Sequence, residues 1–393
     1  TALGVEALKE NTTADSNTAI GYLALKLNTT GAGNVAVGTN ALDANTTGNN
    51  NTSVGVGALG SNTTADDNTA VGLQAMNANT TGTANVAVGH DALEKNTTGS
   101  YSVAIGWEAL ENSVQGNGSV AIGYRALHVS TESNHQVAIG YEVLNSATSA
   151  ATGNIMMGYR CGHNLTTGDD NTAIGYAAMY SITEASRNTV MGMNALYAVT
   201  DAGHDNAAFG YQALKANTAG DNNSALGTDA GLYITTGSNN TMLGKSSGTN
   251  SSPSGSITTG SNTICLGNDD VAELFCADTS ISSSDARDKT DVERFTHGLS
   301  WINKLSPVTY RWDKRSWYVD DPNTTINEGV PDGSKKRPRL HIGFLAQEHL
   351  EVEKEHGFGT ERDNMIITDI TADGDRYGMK YERLVPVLVN AIK

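Results

Sequence analysis

The chain has 393 residues, is rich in glycine (43), is poor in proline (6) and phenylalanine (5), and carries a formal net charge of −17. An acidic surface repels nucleic acid and anionic lipid, so neither is expected as a partner. No apolar run reaches the roughly 18 residues that a membrane span needs, so no membrane insertion is expected.

No signal peptide is visible, and the opening Thr1-Ala2-Leu3-Gly4 already lies inside a repeat, so a longer chain is expected to precede it. Cys161, Cys265 and Cys276 show neither metal spacing nor a disulfide framework and read as small buried hydrophobes. No metal and no cofactor are expected. The composition changes near residue 280. Up to Ser283 there are 8 Lys and Arg against 23 Asp and Glu, and from Ser284 onward 17 against 19. Two kinds of protein are joined here.

The first is a repeat. Short apolar runs end in glycine, as in Ala19-Ile20-Gly21 and Ala36-Val37-Gly38. These glycines recur every 17 residues from Gly4 to Gly140, then every 17 or 18 to Gly244, with a weaker copy at Gly267 after an insertion holding Pro253. The unit is too short for a helix pair. N-T-A-I-G and x-A-L, punctuated by N-T-T-G, predict strand, turn, strand, turn, one coil of a β-solenoid per unit. Sixteen coils at about 4.8 Å each would span roughly 75 Å.

Ile20, Val37, Val54, Val71, Val88, Ile105, Ile122 and Ile139 are expected to form one apolar ladder. Leu25, Leu42, Leu59, Met76, Leu93, Leu110, Leu127 and Leu144 are expected to form another. Neighbouring coils then supply the burial that no coil has alone. The marker glycine is expected to take a positive φ or to admit a neighbouring backbone. A thin coil leaves one ladder and two edges uncovered, which three chains around an axis would bury.

The N-[ST]-[VA]-A-[IV]-G pattern resembles the head repeats of trimeric autotransporter adhesins of the YadA kind, which are left-handed, trimerising β-rolls. A single-chain left-handed β-helix is the rival architecture. Within the repeat, Asp66, Asp67, Asp169, Asp170, Glu108 and Glu111 read as solvated turn residues, and the Asn-Thr-Thr triplets as turns rather than glycosylation sites. His90, His128, His135, His163 and His204 follow no fixed repeat position and read as surface residues.

The second part has different motifs. Ser284-Asp285-Ala286-Arg287-Asp288-Lys289 is followed by Gly343-Phe344-Leu345-Ala346-Gln347-Glu348, then by Tyr381-Glu382-Arg383-Leu384 running to Ala391-Ile392. In that order they resemble the intramolecular chaperone of phage endosialidase tailspikes, peptidase family S74, over about residues 278–393. The resemblance implies a domain that trimerises the fibre before it and then cuts itself off. By the matching positions, Ser284 is the nucleophile and Lys289 the base, the cleaved bond joins Ser283 to Ser284, and Asp285 and Arg287 support them. A serine hydroxyl needs a base beside it, and Arg287 is a cationic neighbour that would favour the neutral lysine.

The plainer alternative is a polar linker between two domains. In either case Asp285 and Asp288 read as caps or partners of Arg287 rather than as reacting groups. His341 reads as packing, and Trp301, Trp312 and Trp317 as core. The family usually continues into a long coiled coil, whereas this sequence stops at Lys393.

The expected architecture is mainly β. Residues 1–250 form a 17-residue-repeat β-roll stalk, residues 251–283 an irregular last coil and linker, and residues 284–393 a small α+β domain ending in a helix. The resemblance implies a homotrimeric phage tail fibre on the virion. It would attach to a host glycan or outer-membrane component and join other tail proteins through an N-terminal part. Its only chemistry would be one self-cleavage per chain. A carbohydrate-depolymerising tailspike and a bacterial trimeric surface adhesin are the alternatives. The first would need grouped catalytic acids and aromatics, which the stalk does not show, and the second would need an outer-membrane anchor, which is not expected after the C-terminal region.

Overall fold

The computed structural model describes residues 1–148, 151–198, 203–271, 289–318, 329–371 and 376–393. They fall into two compact units, Thr1–Lys245 with Thr258–Ile264, and Ser246–Ile257 with Cys265–Lys393.

The repeat becomes a β-solenoid. Sixteen strands form one sheet in strict chain order, and the register places like on like: Ala36 pairs with Ser53 and Ala70 with Ala87. Coils of 18 residues keep this register, with Ile155 opposite Val137 and Ala207 opposite Thr189.

Each full coil holds one three-residue strand, such as Thr18–Ile20 or Val35–Val37. Side chains alternate across a strand. The middle residue (Ala19, Ala36, Ala70, Ala87) therefore points inward and is fully buried. The expected Ile20-to-Ile139 ladder exists but stands on the outer face, half-exposed, beside a second outward column that includes Thr18, Val35 and Val86. The leucine ladder is the interior one, with Leu25, Leu42 and Leu59 fully buried.

The x-A-L piece is not a strand. Leu25, Leu42 and Leu59 adopt φ of 53°, 55° and 50°. A left-handed residue costs about 1–2 kcal/mol. Two gains offset that cost: burial of the leucine, and a backbone hydrogen bond to the next coil, from Leu25 N–H to Ala41 O at 3.0 Å and from Leu42 N–H to Ala58 O at 3.0 Å. The marker glycine meets both expectations at once. Gly21 has φ of 138°, and a Cβ there would lie 2.4 Å from the carbonyl oxygen of Gly38.

The asparagines of N-T-T-G are turn residues with interior side chains. Asn28, Asn45, Asn62 and Asn79 are fully buried, as is the other column of Asn34, Asn51, Asn68 and Asn85. On the outside, tyrosines after the marker glycine stack from coil to coil, with ring centroids 5.0 Å apart for Tyr124 and Tyr141, 5.2 Å for Tyr141 and Tyr159, and 4.9 Å for Tyr159 and Tyr176.

The second unit is small and mixed. Val308–Tyr310 pairs antiparallel with His341–Gly343, and Thr368–Ile370 with Tyr377–Met379. Helices run over Ala346–Glu355 and Leu384–Ile392. Their core is Trp301, Val352, Ile367, Leu384 and Val387, lined by Phe295, Phe344 and Phe358. Trp301 is fully buried as expected, but Trp312 is 44% exposed and is not core. It instead meets the Tyr310 ring edge-on and has the Lys314 ammonium over its face. The side chain of Trp317 lies outside the described residues. Among the described residues, no helix is long and apolar enough to cross a membrane.

Candidate functional site

The second unit brings the separated sequence motifs together. Gly343 ends its strand against Tyr381: a Cβ on Gly343 would sit 2.6 Å from the tyrosine oxygen, and the Phe344 N–H donates to that oxygen at 3.1 Å. The glycine of G-F-x-A-Q-E and the tyrosine of Y-x-x-L thus form one contact. Gly298 similarly lets the last helix approach, since a Cβ there would meet the Asn390 backbone at 2.5 Å, and the Asn390 amide donates to the Phe295 carbonyl at 2.6 Å. His341 packs as expected, its ring stacked on Tyr310 at 5.5 Å.

The helix opened by Ala346-Gln347-Glu348 carries a buried polar network that its sequence does not advertise. His349 and Glu353 lie one turn apart with fully buried side chains, His349 Nδ1 standing 3.3 Å from Glu353 Oε1. Trp301 Nε1–H donates to His349 Nε2 at 3.4 Å, which makes Nδ1 the protonated nitrogen facing Glu353. Glu353 also accepts from the N–H groups of Ile366 (3.1 Å), Ile367 (3.0 Å) and Thr368 (2.5 Å), and from the Thr368 hydroxyl (2.7 Å). Burial pushes its carboxyl upward, but the bonds from His349, Thr368 and Ile366 outweigh that and hold it down at about 2. An H-x-x-x-E spacing on a helix was the available signal.

Lys289 is exposed on the described part of the domain. Ser283, Ser284, Asp285, Arg287 and Asp288 lie outside the described residues, so the arrangement of the expected Ser284–Lys289 pair is not described.

A second polar cluster lies in the same unit. Asp269, 3% exposed at its side chain, is gripped two-pronged by Arg376, Nη1 to Oδ1 at 3.0 Å and Nη2 to Oδ2 at 3.2 Å, and by Lys314 Nζ at 3.2 Å. Arg376 Nη2 also donates to the Asn250 carbonyl at 2.5 Å, and Arg337 Nη2 to the carbonyls of Asp269 (3.5 Å) and Asp270 (3.3 Å).

On the stalk, the acidic residues tie coils together. Asp66 Oδ1 accepts from Asn49 N at 2.6 Å and Asp169 Oδ1 from Thr152 N at 2.7 Å. The histidines are more regular than expected, for His128 and His163 both stand five residues after a marker glycine. His128 Nε2 faces Glu111 at 2.9 Å and Glu108 at 3.5 Å, and His163 faces Glu142 at 3.6 Å. The three ligand atoms of Glu108, Glu111 and His128 converge closely enough for a metal ion. Arg125 and Trp107 occupy Glu108, however, and Lys95 occupies Glu111. Cys161 is buried, with its thiol pushed up to about 12 by desolvation, and Cys265 is buried as well. Cys276 lies outside the described residues.

Comparison with known families finds one match. Residues 284–358 fit the model of Peptidase_S74, the chaperone of endosialidase. The match begins at Ser284 and includes Lys289 and the G-F-x-A-Q-E stretch. No curated protein and no solved structure is significantly similar to the chain. A parallel β-solenoid followed by such a module fits a phage tail fibre or tailspike with a C-terminal chaperone.

Proposed function

We propose that the chain is a subunit of a homotrimeric phage tail fibre that attaches the virion to a host surface, and that its C-terminal domain aligns three chains and is then severed from them by self-cleavage. The observation that carries this reading is the match of residues 284–358 to the endosialidase chaperone model, following a repetitive β-solenoid.

Physical chemistry supports the trimer and the need for a helper domain. A large contiguous apolar face exposed to solvent marks an interaction surface. This sheet shows solvent two outward columns rich in Val, Ile and Leu, with Leu226 57% and Leu243 39% exposed. Threefold packing would cover them. The last helix carries a second uncovered stripe, Val385, Leu388, Val389 and Ile392, at the spacing of a coiled-coil seam. A repeat of identical coils invites slippage, because a shift by one unit changes only the end contacts. A globular domain that trimerises first would fix the register before slow, aggregation-prone β-assembly begins. Its removal would leave the stalk kinetically trapped.

The cleavage needs no cofactor. Lys289 takes the Ser284 hydroxyl proton, and the oxygen attacks the Ser283 carbonyl carbon. The Ser283–Ser284 C–N bond breaks as the ester C–O bond forms, and the Ser284 nitrogen takes the proton back from Lys289 and leaves as an amine. Water then hydrolyses the ester, giving a Ser283 carboxylate and a free Ser284 hydroxyl.

Intact mass and denaturing gels of the wild-type chain, Ser284→Ala and Lys289→Ala test this. A wild-type fragment starting at Ser284, absent from both variants, is the expected result. A wild-type chain that stays whole as a folded trimer would show a retained trimerisation cap instead.

A further inference from the structure

The cluster around Asp269 straddles the proposed cut. Asp269, Asp270 and Asn250 precede Ser283 in the chain, whereas Lys314, Arg337 and Arg376 follow Ser284. After cleavage they would belong to different polypeptides. We infer that Asp269 and the carbonyls beside it form a docking site that keeps the severed C-terminal domain on the end of the fibre, so that cutting the chain and releasing the chaperone are separate events. This inference rests on the proposed cleavage between Ser283 and Ser284.

The partner is defined by its chemistry. On the fibre side are one carboxylate, 3% exposed, and the carbonyls of Asn250, Asp269 and Asp270. On the chaperone side are three cations, one of which, Arg376, presents both terminal nitrogens to the two carboxylate oxygens. A two-pronged guanidinium–carboxylate pair is directional as well as strong. Because it is buried, salt screens it less than a surface pair. Separating the two sides would expose one carboxylate and at least two cations that now satisfy one another. Breaking the peptide bond touches none of these contacts. In a trimer, three such sites would act together and retain the chaperone more firmly than one.

The test uses the full chain and a second version with a site-specific protease sequence inserted between Ser280 and Ile281. The inserted site severs the chain whether or not it cuts itself, so absence of self-cleavage bears only on the proposed function. Size-exclusion chromatography without denaturant, followed by denaturing gels, reports whether the two fragments travel together. Co-elution of the wild-type fragments is expected. Asp269→Asn and Arg376→Gln should each speed dissociation on the order of a hundred-fold, because each leaves buried partners unpaired. Circular dichroism of the uncut variants confirms that both fold. Immediate separation of wild-type fragments, or co-elution unchanged in both variants, overturns the proposal.

Discussion

Asn45 donates its side-chain amide to Asn28 Oδ1 at 2.8 Å, across 17 residues of sequence and one coil of the stalk. The same amide donates to Gly48 O at 3.0 Å within its own turn, and Asn45 Oδ1 accepts from Asn62 at 3.1 Å. Every hydrogen-bonding atom of this fully buried side chain thus holds either its own turn or a neighbouring coil. Replacing Asn45 with alanine takes the donor from Asn28 Oδ1 and the coil-to-coil acceptor from Asn62, and leaves Gly48 O with the Asn34 bond at 2.8 Å in place of two. The expected loss is about 1–3 kcal/mol, read as a lowered unfolding midpoint of the stalk. Asn45→Asp should cost more, since it buries a charge without a counter-ion. Equal midpoints for wild type and Asn45→Asp would contradict the ladder.

Where the leucine ladder is broken, the interior compensates by volume. Gly162 occupies the place of a ladder leucine with φ of 59°, and Met156 stands where most coils have alanine. A Cβ on Gly162 would lie 2.7 Å from Met156 Sδ and 3.3 Å from Leu144 Cδ2. Gly162→Leu alone should therefore destabilise the stalk by about 1–3 kcal/mol through overpacking. Gly162→Leu with Met156→Ala restores the arrangement of the neighbouring coils and should recover most of that. Denaturant unfolding of the wild type, the two single variants and the double variant measures the coupling, expected at about 0.5–3 kcal/mol. Additive losses would contradict the compensation.

This exchange marks how far the sequence alone could be read. The 17-residue period and the marker glycine made the coil legible, because Gly21 both takes a positive φ and admits the backbone of Gly38. Alternation within three-residue strands is too short a signal to say which ladder faces in. Alanine at the middle position and valine beside it become interpretable only when the narrow interior is seen to exclude the larger side chain. The sequence around Leu25 predicts a strand because leucine almost never adopts φ of 53°, and only stacking on identical neighbours makes that conformation tolerable. In the second unit, the motif order pointed to the domain. His349 and Glu353 stayed hidden, because their partners Trp301 and Thr368 are far away in sequence.

The outward and inward strand positions should respond oppositely to charge. Val88 is half-exposed on the outer face, and its neighbour Ala87 is fully buried. Val88→Lys leaves the coil intact but places three ammonium groups near the threefold axis of the proposed trimer. The expected outcome is loss of trimer mass in light scattering with an unchanged β-signal in circular dichroism. Ala87→Lys should abolish the β-signal around that coil instead, because no space or partner exists for the charge. A trimer that survives Val88→Lys would place the chain contacts elsewhere.

The Glu353 carboxylate makes the stability of the C-terminal domain acid-sensitive. Its folded-state value of about 2 lies below the ordinary 4.5. The domain therefore gains stability from the ionised group that is fully present above about pH 4.5 and lost as pH falls toward 2. The size of that gain is up to about 3 kcal/mol. Trp301, whose indole N–H donates to His349 in this network, supplies a fluorescence signal for unfolding. Glu353→Gln should lower the denaturation midpoint of the full chain near neutral pH and remove most of the decline between pH 4.5 and 2, so that variant and wild type converge in acid. Parallel curves over that range would mean that Glu353 carries little of the domain's acid sensitivity, and that the four donors of residues 366–368 serve only to pin that segment to the helix.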